Sequence, residues 1–169
     1  MLESAREYIG FISTFSTTVD QFQFADEFVD EAADRLRAAR ERTVREHMEA
    51  ENAIDFDRAL ATFGHPRYEL IATGQTHDGA VDVMRYFRDS RTAFPDQRNE
   101  LISLRHADDA VVVEFWLLGT HKGRLGDLEP TGKTFRVRMA AFFIFDGASL
   151  VCERVYFDSG SMLRQIASS

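Results

Sequence analysis

The chain of 169 residues has a single cysteine, Cys152, three prolines and one tryptophan. One thiol excludes an intrachain disulfide and suits a reducing compartment. No apolar run approaches the ~18 residues that a membrane span needs. Glu3 and Glu7 stand where an export signal wants positive charge, and Gly10, Ser13 and Thr14 break the apolar stretch from Tyr8 to Phe15. A cytoplasmic location without membrane contact is expected. Basic charge is scarce too: 20 Lys and Arg face 28 Asp and Glu, for a net charge of −8. An acidic surface repels a phosphate lattice, which argues against nucleic acid as a partner.

Several chemical signatures are also missing. Gly119, Gly123 and Gly126 superficially suggest a phosphate loop, but a strand is expected after them, so no helix N-terminus faces an anion. No Ser–His–Asp or Cys–His set can be placed, and no cofactor is expected. What the chain does have is ordinary globular composition, 44% hydrophobic and 28% charged, at the length of one domain. Its fifteen phenylalanines need a sizeable interior or an interface to cover them.

Residues 1–24 show no sustained period. They read either as an arm lying on the body of the protein or on a partner, or as a weakly ordered terminus. Residues 25–169 form the domain. From Ala25 to about Asn52 the spacing is helical, with Phe28, Val29, Ala32, Ala33, Leu36, Ala39 and Val44 on one stripe. His47 projects into the middle of that stripe and Glu51 lies close by, so both point inward. Asp55 caps a short helix over 56–63, which Gly64, His65 and Pro66 end. A strand is expected over 67–73, a third helix over 80–93, and then strands over 99–105, 110–120, 134–145 and 150–158. Asp146-Gly147 turns the last hairpin, and a short helix covers 161–167. Helices followed by a long, mainly antiparallel sheet give an α+β fold.

Val111–Leu118 and Val137–Phe145 are apolar on both parities. An antiparallel sheet with one wet face should alternate instead, so the second face is expected to be covered by a second copy of the chain, as a homodimer.

Several local patterns resemble the SnoaL-like branch of the nuclear-transport-factor-2-like superfamily. They are Ala93-Phe94-Pro95-Asp96, Gly119-Thr120-His121-Lys122-Gly123, Glu129-Pro130-Thr131-Gly132-Lys133, and the ending Glu153-Arg154-Val155-Tyr156-Phe157-Asp158 with Met162-Leu163-Arg164-Gln165-Ile166. The resemblance covers roughly residues 42–167. It implies a cone-shaped, cystatin-like α+β barrel whose curved sheet wraps the N-terminal helices around a small-molecule pocket. Polyketide-cyclase members use an Asp on the last strand and a His on its neighbour for acid–base ring closure. Carried over, these positions fall on Val155 and Ala140, neither of which can move a proton. Epoxide-hydrolase members use an Asp–Arg–Asp set; Arg138 matches its Arg, while Ala140 stands where an Asp is needed.

The residues point to other candidates. Glu153 sits in the apolar row Val151, Glu153, Val155, Phe157, and Glu114 sits in the row Val112, Glu114, Trp116, Leu118, because side chains alternate along a strand. Either loop length for the Asp146-Gly147 hairpin places Glu153 with Arg136, Arg138, Ala140 and Phe142. A carboxyl in apolar surroundings is harder to ionise, which moves it toward the range useful for proton transfer. Glu153 is then a general base, with Glu114 and Arg138 as catalytic partners, or alternatively a structural ion-pair partner of Arg138. Trp116, Tyr68, His47, Phe142, Phe157 and Asp158 are candidate substrate contacts. Tyr68 is favoured over Glu69 to face inward, and Asp158 is as well placed to cap the final helix. His47 and Glu51 have metal-ligand spacing, but no second His–acid pair completes a site, so no metal is expected. Two functions follow: a cofactor-independent acid–base enzyme (cyclase, isomerase or hydrolase) acting on a small apolar or aromatic molecule, or a non-catalytic ligand-binding or dimerisation module. The discriminating feature is whether Glu153 and Glu114 face an open apolar cavity of about 300 Å³ or more, which favours the first, or a core filled by Phe142, Phe157 and Trp116, which favours the second.

Overall fold

The computed structural model describes residues 31–167. The chain divides into two compact units, residues 1–38 and 39–169. In the first, residues 31–38 are helical; the expected arm over 1–24 and the expected helix start at Ala25 lie outside the described residues.

The second unit opens with helix α1, residues 39–52. Its buried positions include Arg40, Val44, His47 and Met48, with Glu51 half-buried one turn on. Spacings of four, three, one and three put all five on one stripe of a 3.6-residue helix. Arg40 fixes the start of that stripe: its guanidinium donates to Gly147 O and Asp108 O, each at 2.8 Å, and lies over the Phe145 ring. Helix α2 is Phe56–Ala61, with Asp55 accepting from the Arg58 amide as its cap.

Strand β1 is Arg67–Leu70 and β2 is Gln75–Asp78. The single strand expected over 67–73 is therefore a hairpin. Gly74, at φ +69°, takes the left-handed conformation that lets the chain reverse after Leu70. Helix α3, Ala80–Ala93, buries Val83, Phe87 and Arg91 at intervals of four. Three long strands follow: β3 (Arg98–His106), β4 (Ala110–Thr120) and β5 (Thr134–Asp146). Strand β6 (Ser149–Phe157) and helix α4 (Ser159–Ala167) complete the chain.

The six strands form one mixed sheet in the order β2-β1-β6-β5-β4-β3. Only the β1–β6 pairing is parallel, with Tyr68 opposite Glu153 and Leu70 opposite Val155. One face is sealed: on β5 the residues Phe135, Val137, Met139, Ala141, Phe143 and Phe145 are all buried, while Arg136, Arg138 and Phe142 between them are exposed.

A bulge in the last hairpin decides which residues meet. Ile144 pairs with Cys152, but Phe145 pairs with Leu150, so Val151 is an extra residue in β6. An inserted residue inverts side-chain parity across a strand pair. Glu153 accordingly sits opposite Phe143, and Tyr156 sits opposite Ala140. The expectation that Glu153 shares a face with Arg136, Arg138, Ala140 and Phe142 is corrected: it lies on the buried face with Met139, Ala141 and Phe143.

The loop after β4 is tied to the end of α3, where Lys122 N and Gly123 N both donate to Ala93 O. A Cβ on Gly123 would stand 1.9 Å from Thr92 O, which is backbone and cannot yield. Gly123→Ala is expected to destabilise the protein by roughly 1–3 kcal/mol, as over-packing does. Denaturant melts check it; an unchanged midpoint would mean that the loop does not pack there.

Candidate active site

Four polar side chains converge inside the sealed face. α1 supplies His47 and Glu51 one turn apart, β1 supplies Tyr68, and β6 supplies Glu153 beside it. His47 is fully buried, Tyr68 is 2% exposed and Glu153 5%. Aromatic rings enclose them: Phe63, Phe87 and Phe143 pack against His47, with Tyr86 against Tyr68.

The hydrogen bonds fix the protonation of His47. Its Nδ1 lies 2.8 Å from Thr62 Oγ1 and 3.2 Å from Ala59 O. Ala59 O can only accept, and the Thr62 hydroxyl already donates its proton to that carbonyl at 2.7 Å. Nδ1 therefore carries a hydrogen. On the other side, Nε2 is 2.6 Å from Tyr68 Oη, whose own proton goes to Glu51 Oε1 at 3.0 Å. Nε2 then donates as well, and the ring is an imidazolium. Burial alone would push its pKa down, but the carboxylates of Glu153 and Glu51 outweigh that and raise it to about 10.

The two carboxyls differ. Glu51 is also opposed by burial, but His47, Arg91 and Tyr68 hold it below its usual pKa. Its Oε2 accepts from Asn99 Nδ2 at 2.8 Å, and Asn99 is in turn clasped by Asn52. Glu153 is less well supported: burial opposes its charge more than His47 and Tyr68 favour it. Its Oε2 lies 3.3 Å from His47 Nε2, but that proton is directed at Tyr68, and the oxygen has no hydrogen bond. Burial, with the charge of Glu51 adding to it, holds Glu153 above the ordinary carboxyl range. The two carboxyls flanking the cationic ring are thus shifted in opposite directions, Glu51 down and Glu153 up.

A cavity of about 370 Å³ opens on the same face, lined by apolar residues that include Leu70, Tyr86, Phe94, Leu117, Met139 and Phe157 and by the polar side chains of His77, Asp89, Gln97 and Arg124 among others. Leu70 is the partner of Val155, and Phe157 that of Met139. Glu153 is one inward-facing position beyond Val155, about 7 Å along the strand. Tyr86 joins the two regions: it lines the cavity, stacks on His77 and packs against Tyr68.

The other sequence candidates lie elsewhere. Glu114, Trp116, Arg138 and Phe142 are on the opposite face of the sheet, because Glu114 pairs with Ala140 and Trp116 with Arg138. Arg138 binds Glu114 at 2.6 Å rather than Glu153, and the Arg136 guanidinium covers Trp116 at 3.9 Å. Asp158 accepts from Ser161 N at 3.1 Å, at the start of α4. Of the two carried-over family positions, Val155 faces inward, but its partner on that face is Ala141 and not Ala140. Cys152 is buried, which pushes its thiol up to about 11 and away from nucleophilic chemistry.

Sequence reasoning missed Asn99, Tyr86 and the role of Glu51. It also left His47 and Glu51 without a third metal ligand. Folding supplies one, since ligand atoms of His47, Glu51 and Glu153 all lie within 4.8 Å of one another.

Residues 41–166 match the family described as SnoaL-like polyketide cyclase. The chain belongs to this family. Solved structures agree on the fold. A putative SnoaL-like polyketide cyclase from Jannaschia sp. CCS1 superposes with TM-score 0.71 at 18% identity, covering 78% of this chain and 94% of that one. IdmH, a putative polyketide cyclase from Streptomyces antibioticus, gives 0.65 at 21% identity, over 76% and 99%. A protein of ketosteroid isomerase-like fold from Catenulispora acidiphila, crystallised with trimethylamine, gives 0.65 at 19% identity, over 75% and 93%. No curated protein matches the chain. Among the described residues no helix is long and apolar enough to cross a membrane.

Proposed function

We propose that this SnoaL-like protein is a cofactor-independent acid–base enzyme acting on a small apolar or aromatic molecule, in the manner of a cyclase, isomerase or hydrolase. The observation that carries this reading is the buried set Glu153–His47–Tyr68–Glu51, which Tyr86 connects to an apolar cavity that none of the four lines. Glu153 accepts or returns the substrate proton, since an unsupported carboxyl in a dry site changes state readily. His47 is the positioning cation: it stabilises Glu153 when ionised and is held in orientation by Thr62 and Ala59. Tyr68 and Glu51 fix its second proton. The apolar lining suits a ligand bound mostly by surface burial, with few polar groups to orient it.

Calorimetry against a panel of cyclic and aromatic ketones tests the pocket. At least one member is expected to bind the wild type, and Leu117→Trp, which fills the cavity, is expected to abolish that binding. A panel that never binds, or binds Leu117→Trp equally well, contradicts the reading. It would favour the non-catalytic module, for which the apolar Val155–Ala141 pair is the supporting feature.

The partner in solution is a second copy, in the cytoplasm. The supporting feature is the open face of the sheet, where Phe142 and Tyr156 meet edge-to-face with 38% and 41% of their surfaces exposed. Rings packed in this way on a surface mark an interaction patch. Light scattering of the wild type at micromolar concentration is expected to give a dimer mass, and Phe142→Glu with Tyr156→Glu a monomer mass. A wild type that is monomeric throughout defeats this.

A further inference from the structure

We infer that His47, Glu51 and Glu153 form a binding site for one divalent first-row transition-metal ion. The inference uses the side chains of the proposed acid–base site but not its chemistry, since a metal can be bound with no substrate present.

The donor set is one imidazole and two carboxylates, with no sulfur, which suits ions such as Zn²⁺, Co²⁺ or Mn²⁺. Around His47 Nε2, the nearest carboxylate oxygens of Glu153 and Glu51 lie at 3.3 and 3.6 Å. Ligand bonds of about 2.0–2.2 Å hold neighbouring ligand atoms roughly 3–3.5 Å apart; the three ligand atoms already lie within 4.8 Å of one another, and the Tyr68 hydroxyl, 2.6 Å from Nε2, turns aside when an ion enters. Two further observations point the same way. The first is Glu153 Oε2, buried and without a hydrogen bond, directed into the cluster. A buried carboxylate oxygen left unpaired is costly, and an ion would satisfy it. The second is the outer support. His47 Nδ1 is engaged by Ala59 O and Thr62 Oγ1, and Glu51 Oε2 by Asn99 Nδ2. Ligating histidines commonly donate their second ring hydrogen to a carbonyl or similar acceptor, which fixes the ring; here an ion would take the place of the Tyr68 hydroxyl at Nε2.

Charge favours a divalent ion as well. Two carboxylates and a neutral imidazole carry two negative charges, which M²⁺ cancels within a dry site. On binding, the Nε2 hydrogen and any proton on Glu153 leave to solvent, and metal–nitrogen and metal–oxygen bonds form in their place, with no change of oxidation state. Glu51 keeps 13% of its side-chain surface and offers a way in from solvent. Mg²⁺ and Ca²⁺ fit poorly, because they prefer all-oxygen shells and Mg²⁺ keeps its waters.

The test is titration of chelator-treated full-length protein with Co²⁺ and Zn²⁺. Calorimetry is expected to show one equivalent bound, with visible d–d absorption for Co²⁺. The ¹⁵N resonance of His47 Nε2 is expected to move on adding Zn²⁺, a readout that needs no variant. His47→Gln and Glu153→Gln should weaken binding about 100-fold or more, whereas Glu114→Gln on the far face should leave it unchanged. Absence of a one-to-one complex, a His47 resonance indifferent to Zn²⁺, or equal binding by Glu153→Gln each overturns the site. A wild type that takes ketone ligands but no Co²⁺ refutes the metal alone; one that takes Co²⁺ but no cavity ligand refutes the acid–base reading alone.

Discussion

His47→Ala is expected to be among the most destabilising substitutions in this chain, and its cost should depend on pH. The ring fills the space among Phe63, Phe87, Phe143 and Tyr68, and it supplies the positive charge between two buried carboxyls. Its loss leaves a cavity and uncompensated charge together. Removing one partner from a buried ion pair costs about 3–5 kcal/mol, so at pH 7 a penalty at or above that range is expected. At pH 4 the free carboxyls can protonate and the penalty should shrink. The wild type, stripped of metal, should show the complementary trend. The folded-state pKa of His47, about 10, lies above its ordinary value of 6.5. Stability from this group is therefore fully present below 6.5 and is lost as pH rises through 10. Denaturant melts of both proteins at pH 4, 7 and 10 provide the check. A variant with the same penalty at pH 4 and 7, or a wild type no weaker at pH 10, would mean that His47 is a neutral packing residue.

The second large effect is a contrast between the two carboxyls. Glu51→Gln should cost about 3–5 kcal/mol, because it takes an anion away from His47 and Arg91 and disturbs the bond to Asn99. Glu153→Gln should cost less than Glu51→Gln, since burial opposes the charge it removes and that carboxyl has an unsatisfied oxygen, although it also takes a partner from the His47 cation. For turnover the order reverses. Once a substrate is in hand, Glu153→Gln should lower kcat by roughly 10²–10⁴, the usual contribution of a general acid–base group, while its melting curve moves less than that of Glu51→Gln. Equal stability costs for the two variants would remove the asymmetry on which the assignment of Glu153 rests. Full activity in Glu153→Gln would remove the role itself.

The fold was largely legible because its patterns are local. The 3.6-residue stripe sends His47 and Glu51 inward, and long apolar runs with clear turns mark β4, β5 and β6. Strand β2 escaped notice because Gln75–Asp78 is a polar edge strand, with no buried face to impose alternation. The partners of Glu153 were misjudged for a sharper reason. Every hairpin length considered kept the parity of the strand pair, but an extra residue at Val151 inverts it. Nothing in Leu150-Val151-Cys152 announces a bulge, and one residue of slip exchanges Arg138 for Phe143. Asn99 was invisible for a different reason: it stands 48 positions from Glu51, and a lone Asn on a strand gives no periodic signal. Burial is written in the sequence pattern, whereas polar convergence depends on register.

The most direct test of the central claim is the pH titration of the His47 ring nitrogens by ¹⁵N NMR in metal-free wild type, with and without a ligand found for the cavity. A ring doubly protonated through neutrality, titrating near 10 and shifting when the cavity fills, is the expected result. A neutral ring at pH 7 that ignores every cavity ligand would contradict the account, leaving His47 as a core histidine and the cavity as a space without chemistry.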